Sequence, residues 1–286
     1  MRCRACVIWI AVIALSIIDL VLCQRLQLRF TDWGRLLAAG AVTGGIALYY
    51  RLSGRSARLA NLAQWALLWA IFSNAGDVLT YVAAACGGPP HDARLAAIDA
   101  ALGFDWTGWY NFLAPHLVLR FVLWLGYQSL LPQILISVIW FSLCDLDYFN
   151  YELLRNNIVS LLITAALFLF YPALGHLEVG QQPYLPVLLA LRGGGALSFD
   201  VARLQGLISF PSYHMVLAVL LVWAHRRSPL LIPAALVNLV MVVSIPSFGP
   251  HYLVDLIAGA AVAGLAITAT AVADPARRHR RVPAFS

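Results

Sequence analysis

Long apolar runs separated by short polar or arginine-bearing segments dominate the chain. Eight of them approach the roughly 20 residues with which an α-helix crosses about 30 Å of hydrocarbon. They cover residues 6–23, 35–50, 60–85, 118–144, 154–172, 210–225, 229–245 and 250–273. The pattern predicts an all-α integral membrane protein of eight transmembrane helices in one bundle, with no internal repeat or low-complexity linker. Residues 6–23 follow the basic start "MRCRAC" but are succeeded by "QRLQLR" instead of small residues, so they read as a retained first span, not a cleaved leader.

Arginine placement orients these helices. All 19 basic side chains are arginines. With the N-terminus inside, 12 fall in inner segments and 7 in outer ones, as the positive-inside rule requires. Three acids of "DLDYFNYE" then also face inward, but acids count for little in that rule. Residues 86–117, 173–209 and the turn 246–250 face outward. The organisation expected is N-terminal helices over 1–86, a core over 87–273 and a basic inner tail over 274–286.

Composition supports the membrane reading and excludes others. The chain is 62% hydrophobic and 11% charged over 286 residues, too apolar for a soluble domain. Its net charge of +6 forms no basic face for nucleic acid. Cys3, Cys6, Cys23, Cys86 and Cys144 lie in or beside apolar runs without metal-ligand spacing and read as small hydrophobes.

Candidate chemistry concentrates in two outer stretches. "FPSYH" opens the sixth run, and after 36 intervening residues "HYLVD" opens the eighth. His251 and Asp255 are four apart, on one helix face, where a carboxylate can hold an imidazole by one ring N–H and leave the other nitrogen free. Taken alone, that spacing equally suits a structural hydrogen bond.

Together, "FPSYH" and "HYLVD" resemble the signature of the type 2 phosphatidic acid phosphatase superfamily, which joins Pro-Ser-x-His to His-x-x-x-Asp. The stretches "DARLAAIDAALGFDW", "YQSLLPQ", "YPALGHL" and "LRGGGALS" are similar to the inositol phosphorylceramide synthase-like branch, over residues 90 to 272. The resemblance implies a six-helix core bundle and a metal-independent, cofactor-free phosphatase or phosphotransferase. It implies that His251 attacks phosphorus and becomes phosphohistidine, that Asp255 orients it, and that His214 protonates the leaving alkoxide. Ser212 and Gly249, with nearby backbone N–H groups, would hold phosphate oxygens, while Pro211 suits a first helical turn. Substrate and acceptor stay open: a lipid phosphate or phospholipid, transferred to water or to an alcohol.

The chain also departs from the broad superfamily. Where a Ser-Arg pair is usual, Ser244 is followed by Ile245, and the lysine and Arg-Pro of the superfamily's first motif are absent. Arg192, among glycines, is the first candidate to neutralise phosphate, and Arg203 the second; either could instead meet lipid headgroups. A vanadate-dependent peroxidase would rely on the missing arginines, and a non-enzymatic lipid-binding or transport protein would keep the histidines as a structural pair. Asp77, beside Asn74, is an intramembrane acid with functional and packing readings. Asp145 and Asp147 fall on the inner side, away from the histidines, so no metal site is assigned. His176 is a candidate to line the outer pocket, and Asp105, in the aromatic interfacial segment "GFDWTGWYNF", is a candidate headgroup contact.

Overall fold

A computed structural model describes residues 2–176 and 184–273; the basic tail 274–286 lies outside the described residues. Among them, twelve α-helices carry most of the chain. Five are long and apolar enough to cross a membrane: Arg4–Arg25, Ala57–Cys86, Asp147–Phe170, Leu231–Phe248 and Leu253–Ala273. A sixth crossing is the pair Leu117–Gln128 and Leu130–Leu143, bent by 49°. The chain is a multi-pass, mostly α-helical membrane protein. The expected second run is the 20-residue helix Gly34–Ser53, which is not among these crossings. The expected sixth is only the 12-residue Tyr213–Ala224, about 18 Å of helix and less than the hydrocarbon thickness.

The chain forms two compact units. The first comprises Met1–Gly87, Leu135–Arg155 and Tyr184–Leu207. It holds α1 (Arg2–Arg25), α2 (Gly34–Ser53), α3 (Ala57–Cys86) and α9 (Leu185–Gly193). Ser56 starts α3 by accepting the Leu59 N–H at 3.3 Å, and α1, α2 and α9 pack on α3. Its buried face carries Trp65, Leu68, Trp69 and Phe72.

The first unit also contains two strands that the apolar pattern does not predict, β1 (Leu28–Thr31) and β2 (Leu197–Asp200), paired in parallel with Leu28 opposite Leu197. Phe30, Tyr81 and Phe199 form an aromatic cluster beside them. Four-residue strands are too short to show a period of two. Here too Asp147 accepts from Asn61 and Trp65, while exposed Asp145 pairs with Arg58 at 2.6 Å, which gives both acids structural partners. Asp77 sits on the partly buried face of α3, where its carbonyl accepts the Thr80 hydroxyl at 2.7 Å.

The second unit comprises Gly88–Ile134, Asn156–Pro183 and Ile208–Ser286. It contains α4 (Asp92–Ala101), α5 (Trp106–Leu113), α6 (Leu117–Gln128), the start of α7 (Leu130–Leu143) and most of α8 (Asp147–Phe170). It ends with α10 (Tyr213–Ala224), α11 (Leu231–Phe248) and α12 (Leu253–Ala273). α10 packs on both α11 and α12, and α6 packs on α11. The α6–α7 break has a local cause: Pro132 lacks an N–H and its ring collides with the carbonyl four residues back, that of Gln128. Asp105 caps α5 by accepting the Gly108 N–H at 2.9 Å, so this candidate headgroup contact serves as a helix cap.

Candidate active site

The second unit alone brings His214, His251, Asp255, Ser212 and Gly249 together. His214 stands in the first turn of α10, and His251 in the four-residue linker from α11 to α12. Their ring centroids are 6.4 Å apart, at 65°. Gly259 on α12 makes this approach possible: a Cβ there would overlap the Ser212 carbonyl at the start of α10. It belongs to the small-residue stretch "AGAAVAG", of the kind that lets membrane helices pack closely.

His251 is buried, and its Nδ1 lies 2.8 Å from the Ser209 carbonyl oxygen. A carbonyl can only accept, so Nδ1 carries the proton and Nε2 is left with its lone pair. Asp255 Oδ2 is farther from Nδ1, at 3.5 Å, and accepts the Tyr252 N–H at 2.8 Å. The carboxylate expected to orient the imidazole therefore closes the first turn of α12, as a capping-box acid does, and the Ser209 backbone takes the ring N–H. Burial pushes the His251 imidazole down from 6.5 to about 4, against the raising effect of the Ser209 bond.

The two helix N-termini at this site differ. At α12, Asp255 takes the Tyr252 N–H while Asp99 takes those of Leu253 at 2.7 Å and Val254 at 2.9 Å. Carboxylates thus already satisfy its positive end. At α10 the N-cap Ser212 makes no side-chain cap bond, and its hydroxyl is buried without a partner among the described residues. Pro211 precedes the cap instead of occupying the first turn, and the Ser212 N–H donates to the Asp255 carbonyl at 3.0 Å. An uncapped helix start with an unpaired buried hydroxyl suits an anion.

Gly249 borders the His251 ring. Its N–H donates to the Ile245 carbonyl at 2.8 Å, and what it supplies is clearance, since a Cβ would stand 2.6 Å from His251 Cδ2. Arg192 ends α9 and Arg203 ends the 3-10 turn Val201–Arg203, both in the first unit. Arg203 is paired with Asp200 at 3.4 Å. His176 donates its backbone N–H to the Pro250 carbonyl at 3.2 Å, beside His251, and its ring stacks on Trp106 at 4.5 Å.

Sequence reasoning misses two further contacts. The Ser209 carbonyl has no sequence signature, because every residue carries one. Tyr127, at the end of α6 just before the bend, stacks on His214 at 4.4 Å and 18°. Its stretch "YQSLLPQ" is conspicuous, but only the fold gives it this neighbour. Among the described residues no group of three or more histidine, cysteine or acidic side chains could hold a metal ion.

Residues 93–269 match the family described as the PAP2 superfamily. No curated protein and no solved structure matches the chain.

Proposed function

Because the chain belongs to the PAP2 superfamily, whose members are phosphatases and phosphotransferases acting on phosphate esters, we propose that it transfers the phosphoryl group of a lipid-linked phosphate ester through phospho-His251. The observation that carries the reading is the arrangement of the two rings. His251 has its Nδ1–H tied to the Ser209 carbonyl, leaving Nε2 as a lone-pair nucleophile, and His214 faces it at 6.4 Å. A phosphoryl group can bridge such a pair, with about 3 Å from each ring nitrogen to its reacting atom.

In this mechanism the phosphate oxygens are held at the start of α10, by Ser212 Oγ and backbone N–H groups. Nε2 of His251 attacks phosphorus, the ester P–O bond breaks, and protonated His214 gives its proton to the departing alkoxide. An acceptor O–H then attacks the phosphohistidine while neutral His214 takes its proton, and His251 is regenerated. Tyr127 stacks on the His214 ring and fixes its orientation, while the negative charge of the bound phosphate favours the cationic form that the general acid needs. No step needs a metal or organic cofactor.

The acceptor, water or an alcohol, decides between phosphatase and transferase, and depends on how well the pocket excludes water. Similarity to the inositol phosphorylceramide synthase-like branch favours a headgroup transferase of the inositol-phosphate type. In this reading the catalytic core falls within residues 87–273 and both termini lie inside. The site then opens to the outer face of a bacterial plasma membrane.

The test is to incubate the purified protein with EDTA and a panel of lipid phosphates and phosphoinositides, scoring free phosphate and new phospholipid separately. Wild type should give an acid-labile phosphoenzyme, His214→Ala should form it far more slowly because the departing alkoxide lacks its acid, and His251→Ala should form none, with turnover lost in both variants. Full turnover by His251→Ala would refute the nucleophile, and no turnover by folded wild type on any ester would refute the function.

A further inference from the structure

Helix α4 is the shortest route from sequence to a second layer of the site. Asp92 and Asp99 lie seven residues apart, two turns along one helix face, at opposite ends of its 10 residues. Both carboxylates point into the linker regions that hold His251. Asp99 is 1% exposed and uses both oxygens: Oδ2 accepts from Leu253 N and from Trp106 Nε1 at 2.9 Å, and Oδ1 from Val254 N. It fixes where α12 begins, two residues after His251.

Asp92 acts on the other side of the ring. Its oxygens accept from Leu174 N at 2.9 and 3.0 Å and from Gly175 N at 2.8 Å, and Oδ1 also accepts the Tyr252 hydroxyl at 3.3 Å. The segment it holds offers the Ala173 carbonyl to the Ser209 hydroxyl at 2.9 Å, and the Ser209 carbonyl takes the His251 Nδ1–H. The next residue on, His176, donates its N–H to Pro250, which immediately precedes His251. The chain of bonds therefore runs from α4 to both the backbone and the ring of His251.

We propose that Asp92 and Asp99 are a paired carboxylate brace that positions His251 for phosphoryl transfer, Asp99 through the start of α12 and Asp92 through the segment 173–175 and Ser209. Neither touches the reacting atoms; both are positioning residues. The brace also assigns the anion: with the α12 N-terminus filled by Asp99 and Asp255, the uncapped α10 start receives the phosphate. Charged groups are well suited to this work, because a carboxylate accepting several backbone N–H groups makes stronger bonds than a neutral acceptor.

The kinetic part of the inference rests on the phosphohistidine reading, so the experiment separates the two. Asp92→Asn and Asp99→Asn keep the side-chain shape but weaken acceptance. Leu253→Pro removes one N–H bond to Asp99 at the first helical position, where proline is tolerated, and guards against a failure of the aspartate variants to fold. Two readouts are taken in nanodiscs. One is the His251 tautomer from nitrogen chemical shifts, which needs no turnover; the other is kcat and KM on the best ester for wild type.

The expected result is a mixed His251 tautomer in the asparagine variants, kcat lower by about 10- to 100-fold and KM within about twofold. Asp99→Glu, with the charge but a longer reach, should recover part of kcat. Wild-type tautomer and kcat in all the folded variants would overturn the brace. A mixed tautomer in a protein whose wild type turns over no ester would retain the brace and refute the phosphoryl-transfer reading alone.

Discussion

Gly249→Ala separates what holds the fold from what aligns the nucleophile. The backbone at Gly249 has φ of −106° and ψ of 154°, ordinary for alanine, so the substitution carries no torsional strain. The whole effect comes from the added methyl carbon. It would lie 2.6 Å from His251 Cδ2, about 0.8 Å short of ordinary contact, and 3.3 Å from Nε2, the nitrogen assigned to attack phosphorus. The ring can retreat only by stretching the 2.8 Å bond from Nδ1 to Ser209 or by swinging Nε2 off its line. Moving one side chain aside costs about 1 kcal/mol of stability, near the low end for overpacking. A displacement approaching 1 Å at a reacting atom costs on the order of 100-fold in rate. The assay is kcat on the best phosphate ester, with the phosphoenzyme burst and the thermal midpoint measured in the same detergent. Gly264→Ala is the control, because a Cβ there meets nothing within 4 Å; it should leave kcat within about twofold and add up to about 1 kcal/mol through helix propensity. Wild-type kcat and burst in Gly249→Ala would refute the claim that this glycine keeps the nucleophile clear.

Ser212→Ala should move stability and activity in opposite directions. Removing a buried hydroxyl that has no partner raises the thermal midpoint by the equivalent of roughly 1 kcal/mol, while kcat/KM falls about 10-fold as a phosphate contact is lost; a fall in both would show the hydroxyl to be structural. Tyr127→Leu should lower kcat about fivefold, the worth of about 1 kcal/mol of stacking on His214, and Tyr127→Phe should stay within about twofold. Equal losses in the two variants would point to the phenol hydroxyl instead. The His251 imidazole, lowered from 6.5 to about 4, is neutral when folded and takes up a proton more readily when unfolded. Its contribution to stability is complete above pH 6.5 and declines as pH falls towards 4, by about 3 kcal/mol in total. Thermal midpoints between pH 7.5 and 4.5 should therefore slope less in His251→Asn than in wild type, and identical slopes would refute the buried neutral state.

How much of this was legible in the sequence follows from how far each determinant reaches along the chain. The long crossings are written in local composition, and every one of the five and the bent sixth falls on an expected apolar run. His214 and His251 announce themselves because each lies in a short stretch whose neighbours have their own work: Ser212 as N-cap, Asp255 closing the turn that follows His251. The parallel pairing of Leu28–Thr31 with Leu197–Asp200 joins segments separated by most of the protein, and four residues leave no pattern to detect it. The bend at Ser129 is different again. Pro132 marks it locally, yet only the packing of α6 on α11 turns that break into a Tyr127 ring stacked on His214.

The local contacts of three expected site residues have a common physical origin. Gly249 and Asp105 were expected to meet phosphate or headgroup and Asp255 to orient His251; in the structure Gly249 clears the His251 ring, while Asp255 and Asp105 accept backbone N–H groups at helix starts. Linkers between membrane helices must settle their exposed N–H groups without water, so acids and small residues there are claimed first by helix ends. That demand makes Ser212 informative. In a neighbourhood where Asp255 and Asp99 take the N–H groups that open α12, its buried hydroxyl at the start of α10 has no protein partner among the described residues. In the proposed mechanism a phosphate oxygen would supply the missing acceptor, so the same group that weakens the empty fold would strengthen the loaded one.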